Sequence, residues 1–251
     1  MSLLPPSKSP ETRFVAFDIE TASLPRETLE PLLPEFDPSE VKLGNTKDPE
    51  KVAALIETAR VKHSERFFSE AALNPLTGRV VAIGLSEFNR AGETTGAFAC
   101  LLNRPGELTE EQVLESFWQF FDESLNGSRT IFVGHNVDDF DLPFLVTRSR
   151  ILGVRVPRLV LKPRGSRFYF SERFVDTRSL FALGRDVRQM KTSLGYLAPI
   201  LGLGAKNGSG EDFAGLLETD WKKAVDYLFN DVKLSARLAA KLGVFDLYSA
   251  E

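Results

Sequence analysis

The run Arg13–Ile19, Arg-Phe-Val-Ala-Phe-Asp-Ile, most narrows the folds open to this chain. It is short, rich in aromatic and β-branched residues, and suits a buried strand that ends in acids. Two further strand candidates, Arg79–Glu87 and Thr94–Leu102, flank the turn-like Asn89–Gly92 and predict a hairpin. Helical spacing then takes over: Val113, Leu114, Phe117, Trp118, Phe120, Phe121 and Leu125 share a face of a helix over Thr109–Leu125, opened by Thr109 and Gln112 as a capping box. A short buried strand at Thr130–Val133 leads to a helix over Leu142–Leu152, with Pro143 tolerated in its first turn. Phe174–Asp176 reads as a last strand, Thr192–Leu201 as a helix and Trp221–Leu242 as the final helix. This order predicts an α/β fold with a mixed sheet flanked by helices, rather than a doubly wound nucleotide fold. The glycines of Gly202–Gly210 follow a helix instead of linking strand to helix, so no phosphate loop is expected there.

At 251 residues, 43% hydrophobic, the chain can close one large core, and a single domain over 1–251 is expected. Pro25, Pro31, Pro34, Pro38 and Pro49 break the stretch after the first strand, where only Glu50–Phe68 looks helical; about 22–75 therefore reads as an insertion. The lone Cys100 makes no internal disulfide and reads as a small core residue of a reducing compartment. Met1–Pro10 lacks the apolar run of a signal peptide, and no segment nears the roughly 20 apolar residues of a membrane span, so a cytoplasmic protein is expected. A net charge of −4 argues, taken alone, against a polyanionic partner. Between Arg148 and Lys191, however, basic residues outnumber acids twelve to three. That zone fits a solvated loop or a surface that follows a phosphate backbone, with Arg164, Arg167 and Arg173 as phosphate-gripping candidates.

Asp18 and Glu20 lie two apart on a strand and leave its end on the same face. Two such anions repel unless a cation or a basic neighbour compensates them, and magnesium prefers hard oxygens; a strand end meeting water is the plainer reading. Asp141 follows a buried strand and the turn Gly134-His135-Asn136, and it precedes Leu142 and Pro143. It suits a helix N-cap or a ligand held by the apolar frame of Phe140 and Leu142, whereas Asp138 and Asp139 can turn to solvent. Tyr227 and Asp231 stand four apart on the final helix, hence on one face: the edge of a core, or a carboxylate ligand below a phenol that contacts an attacking water. Asp226 points roughly 100° away around that helix.

In order, the chain reads F-D-I-E-T from Phe17 to Thr21, G-H-N from Gly134 to Asn136 with F-D-L-P-F-L from Phe140 to Leu145, and Y-L-F-N-D from Tyr227 to Asp231. In these motifs it resembles the DEDD 3′-to-5′ exonucleases of ribonuclease H-like fold, in the branch with tyrosine in the third motif. It looks most like bacterial relatives of the proofreading domain of family B DNA polymerases. The resemblance spans Phe14 to Leu242 and informs the insertion least. It implies a five-stranded mixed sheet and two Mg²⁺ (or Mn²⁺) ions. Asp18 would be shared by both metals, Glu20 and Asp231 would complete the site of the nucleophilic water, and Asp141 would serve the second metal. Tyr227 would orient the water. One cation would lower the pKa of that water while the other stabilised the leaving 3′ oxygen. Where histidine-using relatives place their base, five residues before the aspartate, this chain has Asp226.

The implied reaction is hydrolysis of the terminal phosphodiester of single-stranded or frayed DNA, releasing nucleoside 5′-monophosphates. The expected substrate side comprises Thr21 and Leu24 near the first motif, His135, Asn136, Phe140 and Phe144 at the second, and Lys206 in the glycine-rich turn. Leu24 and the two phenylalanines would wedge or stack against bases, at about 1–3 kcal/mol per base, or else belong to the core. His135 also fits a structural role, and Asn136 would lie near the scissile nucleotide or help position the motif. Asp176 with Thr177 reads as a helix cap and as the reserve carboxylate should Asp141 not serve. Trp118 and Trp221 are expected in the core and His63 at the surface. An exoribonuclease like the ribonuclease D relatives is the alternative substrate reading, and a non-catalytic nucleic-acid-binding or partner-docking module the alternative class. With little chain after the last helix, a free-standing nuclease is expected.

Overall fold

β1 (Arg13–Ser23) runs on past Ile19 through both acids of the first motif, and every residue from Arg13 to Phe17 is buried. A strand covered on both faces needs layers on both sides. A computed structural model, describing residues 12–124, 129–161, 173–183, 190–208, 210 and 213–248, supplies them. β2 (Gly78–Glu87), β3 (Ala99–Leu102), β4 (Thr130–Gly134) and β5 (Phe174–Asp176) complete a five-stranded sheet in the order β3-β2-β1-β4-β5. β4 is parallel to β1 and to β5, while β2 and β3 are antiparallel. This is the mixed, helix-flanked, ribonuclease H-like sheet that the sequence predicts.

The odd-numbered residues of β1, Val15, Phe17 and Ile19, join one core with α3 (Glu110–Ser124) and α4 (Leu142–Leu152). Phe17 has the Phe117, Phe132 and Phe174 rings around it. The even-numbered residues therefore face the other layer, where α8 (Trp221–Lys241) lies with α9 (Val244–Tyr248) behind it. Phe14 meets Phe245 of α9 at 4.1 Å between ring centroids. α8 buries Ala224, Tyr227, Leu228, Asp231, Val232, Ser235 and Leu238, a helical stripe with an acid in its middle. Its approach to the sheet is close: a Cβ at Gly84 of β2 would come within 2.8 Å of Leu228. Only glycine allows that contact.

Among the described residues three short α-helices had no sequence counterpart, α1 (Arg26–Leu29), α7 (Phe213–Thr219) and α9, whereas the helix cap expected at Asp176 and Thr177 is found, with Asp176 capping α5 (Thr177–Ala182). α6 (Leu194–Ile200) packs with α7 on α8. The strand expected over Thr94–Leu102 shrinks to Ala99–Leu102, with one isolated bridge from Thr94 to Phe88. Trp118 is core, but Trp221 is 40% exposed. It opens α8 and stacks with the Arg104 guanidinium at 4.7 Å. Cys100 is half-buried, and its thiol is pushed up to about 12 by burial and by Glu107.

The chain divides into two compact units, Ala22–Arg79 and the remainder. The first holds α1 (Arg26–Leu29) and α2 (Pro49–Glu70), the latter capped by Asp48, whose carboxylate accepts from Glu50 N at 3.0 Å. No residue of α2 is buried. His63 is not a free surface group: its Nε2 lies 3.0 Å from Pro34 O, which ties the proline-rich stretch to α2. Among the described residues no helix is long and apolar enough to cross a membrane.

Within the larger unit one ion pair among the described residues has both partners deeply enclosed. Arg148 of α4 grips Glu110 of α3 through Nε at 2.8 Å and a second nitrogen at 2.7 Å, and Glu110 also accepts from Val80 N of β2. Removing one partner leaves a charge without compensation in the core, at about 3–5 kcal/mol. Arg148→Met should lower unfolding stability by about that amount in denaturant titration, whereas replacing exposed Arg150 should change it little.

Candidate active site

Strand and helix periods bring the first and third motifs together. Asp18 and Glu20 leave the α8-facing side of β1, and Asp231 sits on the buried stripe of α8. One carboxylate oxygen from each lies within 4.8 Å of the other two. Tyr227, one turn before Asp231, is also buried, with its ring against the turn after α6. A Cβ at Gly208 would sit 2.9 Å from that ring, so glycine is what lets this turn close over the phenol. A Cβ at Gly210 would lie 3.5 Å from Glu20 Oε2 and 3.9 Å from the Tyr227 oxygen, which marks how near those two groups stand.

The second motif arrives from the opposite edge of β1. β4 runs parallel to β1, so its end, Gly134, opens beside the acids. The chain turns at Asn136, in the left-handed region at φ 73°, and continues as one π-helical turn, Val137–Asp141, before α4. Asp141 is 3% exposed, and its side chain makes no capping hydrogen bond to α4, which rules out the N-cap reading. Its charge instead acts on Asp18 and Glu20. Asp139 is exposed, and Asp138 faces Asp176 and Asp139 rather than the cluster.

The four acids repel one another in a site with little water. Burial raises Asp18, and Asp141, Glu20 and Asp231 raise it further. Glu20 is pushed up to about 8, first by burial and then by Asp231. Asp141 is pushed up to about 7 by burial and Asp176, against hydrogen bonds from backbone amides including Ile19. Asp231 is raised by burial, while Lys206 and Tyr227 hold it down. Lys206 is the compensating cation: its Nζ lies 2.6 Å from Asp231 Oδ2 and 5.2 Å from the Tyr227 ring centre. Among the described residues, one ammonium among four carboxylates leaves the cluster short of positive charge. Asp231 Oδ1 is buried and has no hydrogen-bond partner among the described residues. A hard divalent cation fits this donor set, because the oxygens converge, one lone pair is unused and the excess charge is negative.

The remaining expected site residues separate. Asn136 and Phe140 are half-buried beside Asp141, and Thr21 is half-buried next to Glu20. Leu24 falls in the Ala22–Arg79 unit, where its amide bonds Thr77 O at 2.9 Å. Phe144 is 1% exposed and belongs to the core, so it offers no face to a base. His135 is held at both nitrogens, Nδ1 3.0 Å from Thr177 Oγ1 and Nε2 2.7 Å from Thr192 O, and so serves the fold rather than a ligand. Lys206 pairs with an acid of the cluster. Asp176 is not a reserve ligand, because both of its oxygens accept hydrogen bonds. Of the basic zone, Arg173 donates inward to Thr130 O, and Arg164 and Arg167 lie outside the described residues. Sequence reading left Arg178 as one charge among twelve, yet it bonds Asn136 and Thr192.

No model of a known protein family matches the sequence, and no curated protein does. Among solved structures the chain is similar to the family B DNA polymerase from the hyperthermophilic archaeon Pyrobaculum calidifontis, with a TM-score of 0.58 and 19% identity. The likeness covers 96% of this chain and 26% of the polymerase, and it concerns the fold.

A carboxyl whose pKa is raised by folding keeps a proton in the fold that the unfolded chain has released. Without a cation the fold should therefore lose stability as pH rises from the ordinary carboxylate range of about 4.5 towards about 8. In chelator, the thermal midpoint should fall across that window. Mn²⁺ should raise it more at the alkaline end than at the acid end, where protons already neutralise the acids.

Proposed function

We propose that this protein is a metal-dependent 3′-to-5′ exonuclease of the tyrosine-containing DEDD type, acting on single-stranded or frayed DNA. The observation that carries this reading is the convergence of Asp18, Glu20 and Asp231 within 4.8 Å, with Asp141 and Tyr227 at the same cluster. Similarity of fold to a family B DNA polymerase supports it.

In this reading Asp18, Glu20, Asp141 and Asp231 would hold two Mg²⁺ or Mn²⁺ ions. When bound, these would supply a water of lowered pKa and positive charge beside the scissile phosphate. Burial raises the Tyr227 phenol, so it stays protonated at neutral pH and orients the water as a neutral hydroxyl rather than as a base. Lys206, already beside Tyr227 and Asp231, brings positive charge to the phosphate side of the cluster. Asn136, Phe140 and Thr21 line the approach to the acids, Phe140 being the aromatic left for stacking against the terminal base.

A labelled strand with a free 3′ end should shorten in Mn²⁺ with release of nucleoside 5′-monophosphates, and the same strand blocked at its 3′ end should survive. Asp18→Asn and Asp141→Asn should abolish shortening, and Tyr227→Phe should slow it by about 10²-fold. Equal loss of blocked and free strands, or no metal-dependent shortening, would remove the proposal. A matched RNA strand in competition tests the substrate: strong preference for it would move the reading to an exoribonuclease.

A further inference from the structure

The residues that end β5 and begin α5 are bonded, one after another, to the turn that ends β4. Gly134 and Asp176 are register partners in adjacent parallel strands, so the two chains leave the sheet side by side. Asp176 accepts through Oδ1 from Arg178 N at 2.8 Å and Ser179 N at 3.4 Å, an ordinary N-cap of α5. The same oxygen also accepts from Asn136 N at 2.9 Å, and Oδ2 accepts from Asp138 N at 3.2 Å and Ser179 Oγ at 3.3 Å. One carboxylate thus caps two turns, its own helix and the π-helical turn that carries Asp141.

Thr177 adds the next contact. Its hydroxyl lies 2.9 Å from Gly134 O and 3.0 Å from His135 Nδ1. The Thr192 carbonyl can only accept, so His135 carries its proton on Nε2; burial favours the neutral ring, whose bare Nδ1 then shares the one Thr177 hydroxyl hydrogen with Gly134 O. Arg178 completes the set, with Nε 2.9 Å from Thr192 Oγ1 and a terminal nitrogen donating to Asn136 Oδ1. A guanidinium only donates, so the Asn136 amide oxygen must face Arg178, which turns its NH₂ the other way as a donor.

We infer that Asp176, Thr177 and Arg178 form a positioning brace for the second acidic motif, fixing the Gly134-His135-Asn136 turn and, through it, where Asp141 stands against Asp18. The inference rests on the metal-dependent reading above. Its physical basis is the turn itself. Asn136 occupies a left-handed conformation that a non-glycine residue adopts at a cost. Val137–Asp141 is closed by a hydrogen bond, Leu142 N to Val137 O, that spans one residue more than those of an α-helix. Relaxation to α-helical winding shifts register by one residue and swings Asp141 by about 100° around the axis. Asp176 blocks this by holding the amides of Asn136 and Asp138 on one carboxylate. Asp176 and Thr177 are positioning residues for a ligand; Arg178 positions Asn136.

The test is Mn²⁺ binding to the full chain, followed by calorimetry and by electron paramagnetic resonance of free Mn²⁺. Asp141→Asn identifies the binding event that needs Asp141. Asp176→Asn, which keeps shape but turns one acceptor into a donor, should weaken that same event by about 10–100-fold and spare the other. Thr177→Val should weaken it in the same selective way by a smaller factor, and it decides the matter if Asp176→Asn does not fold. Arg178→Lys should leave Mn²⁺ binding as in the unaltered chain and raise KM for a 3′-ended strand more than it lowers kcat. Unchanged Mn²⁺ binding in folded Asp176→Asn and Thr177→Val, or equal weakening of both events, overturns the brace and leaves the parent reading standing. Absence of Mn²⁺ binding in the unaltered chain overturns both.

Discussion

Four carboxylates from three distant segments are packed where they cannot all stay charged unaided. Everything around them can be understood as the means of holding that arrangement. β1 is buried on both faces, so Asp18 and Glu20 cannot turn away without dragging core residues with them. α8 sits low enough on the sheet for Asp231 to reach the same point, which is why β2 has glycine where Leu228 descends. Lys206 offsets part of the repulsion, and the remainder is the negative field that makes the site selective for cations.

Much of this was legible in the sequence because it is written in periods. A spacing of two on a strand and of four on a helix each place a pair on one face, and the apolar runs gave the order of most elements along the chain. Asp18, Glu20, Tyr227 and Asp231 could be grouped on that ground. Asp141 was harder, since an aspartate before Leu142 and Pro143 also suits a helix cap; only burial and the missing cap bond separate the two.

What escaped has physical causes. α1, α7 and α9 span too few residues to show a helical period. Trp221 looked like core because it falls in an apolar helical pattern, yet it occupies the first turn of α8, between Asp220 and Lys222, where a ring can lie along the surface against Arg104. The brace left no period at all, being built from side chains that bond backbone across two strands. Counting charges misjudged the basic zone as well: Arg148 is buried against Glu110, and Arg178 is spent on Asn136 and Thr192. A charge count describes a surface only after the inward-facing members have been removed.

Cys100 carries one more consequence. Its thiol is half-enclosed and pushed up to about 12, so at neutral pH almost none of it is thiolate, the form that attacks alkylating reagents. The chain's single sulfhydryl is therefore a quiet background. A cysteine engineered into the turn around Lys206 would take up a fluorophore or spin label almost alone, and its signal would report when that turn leaves the acids.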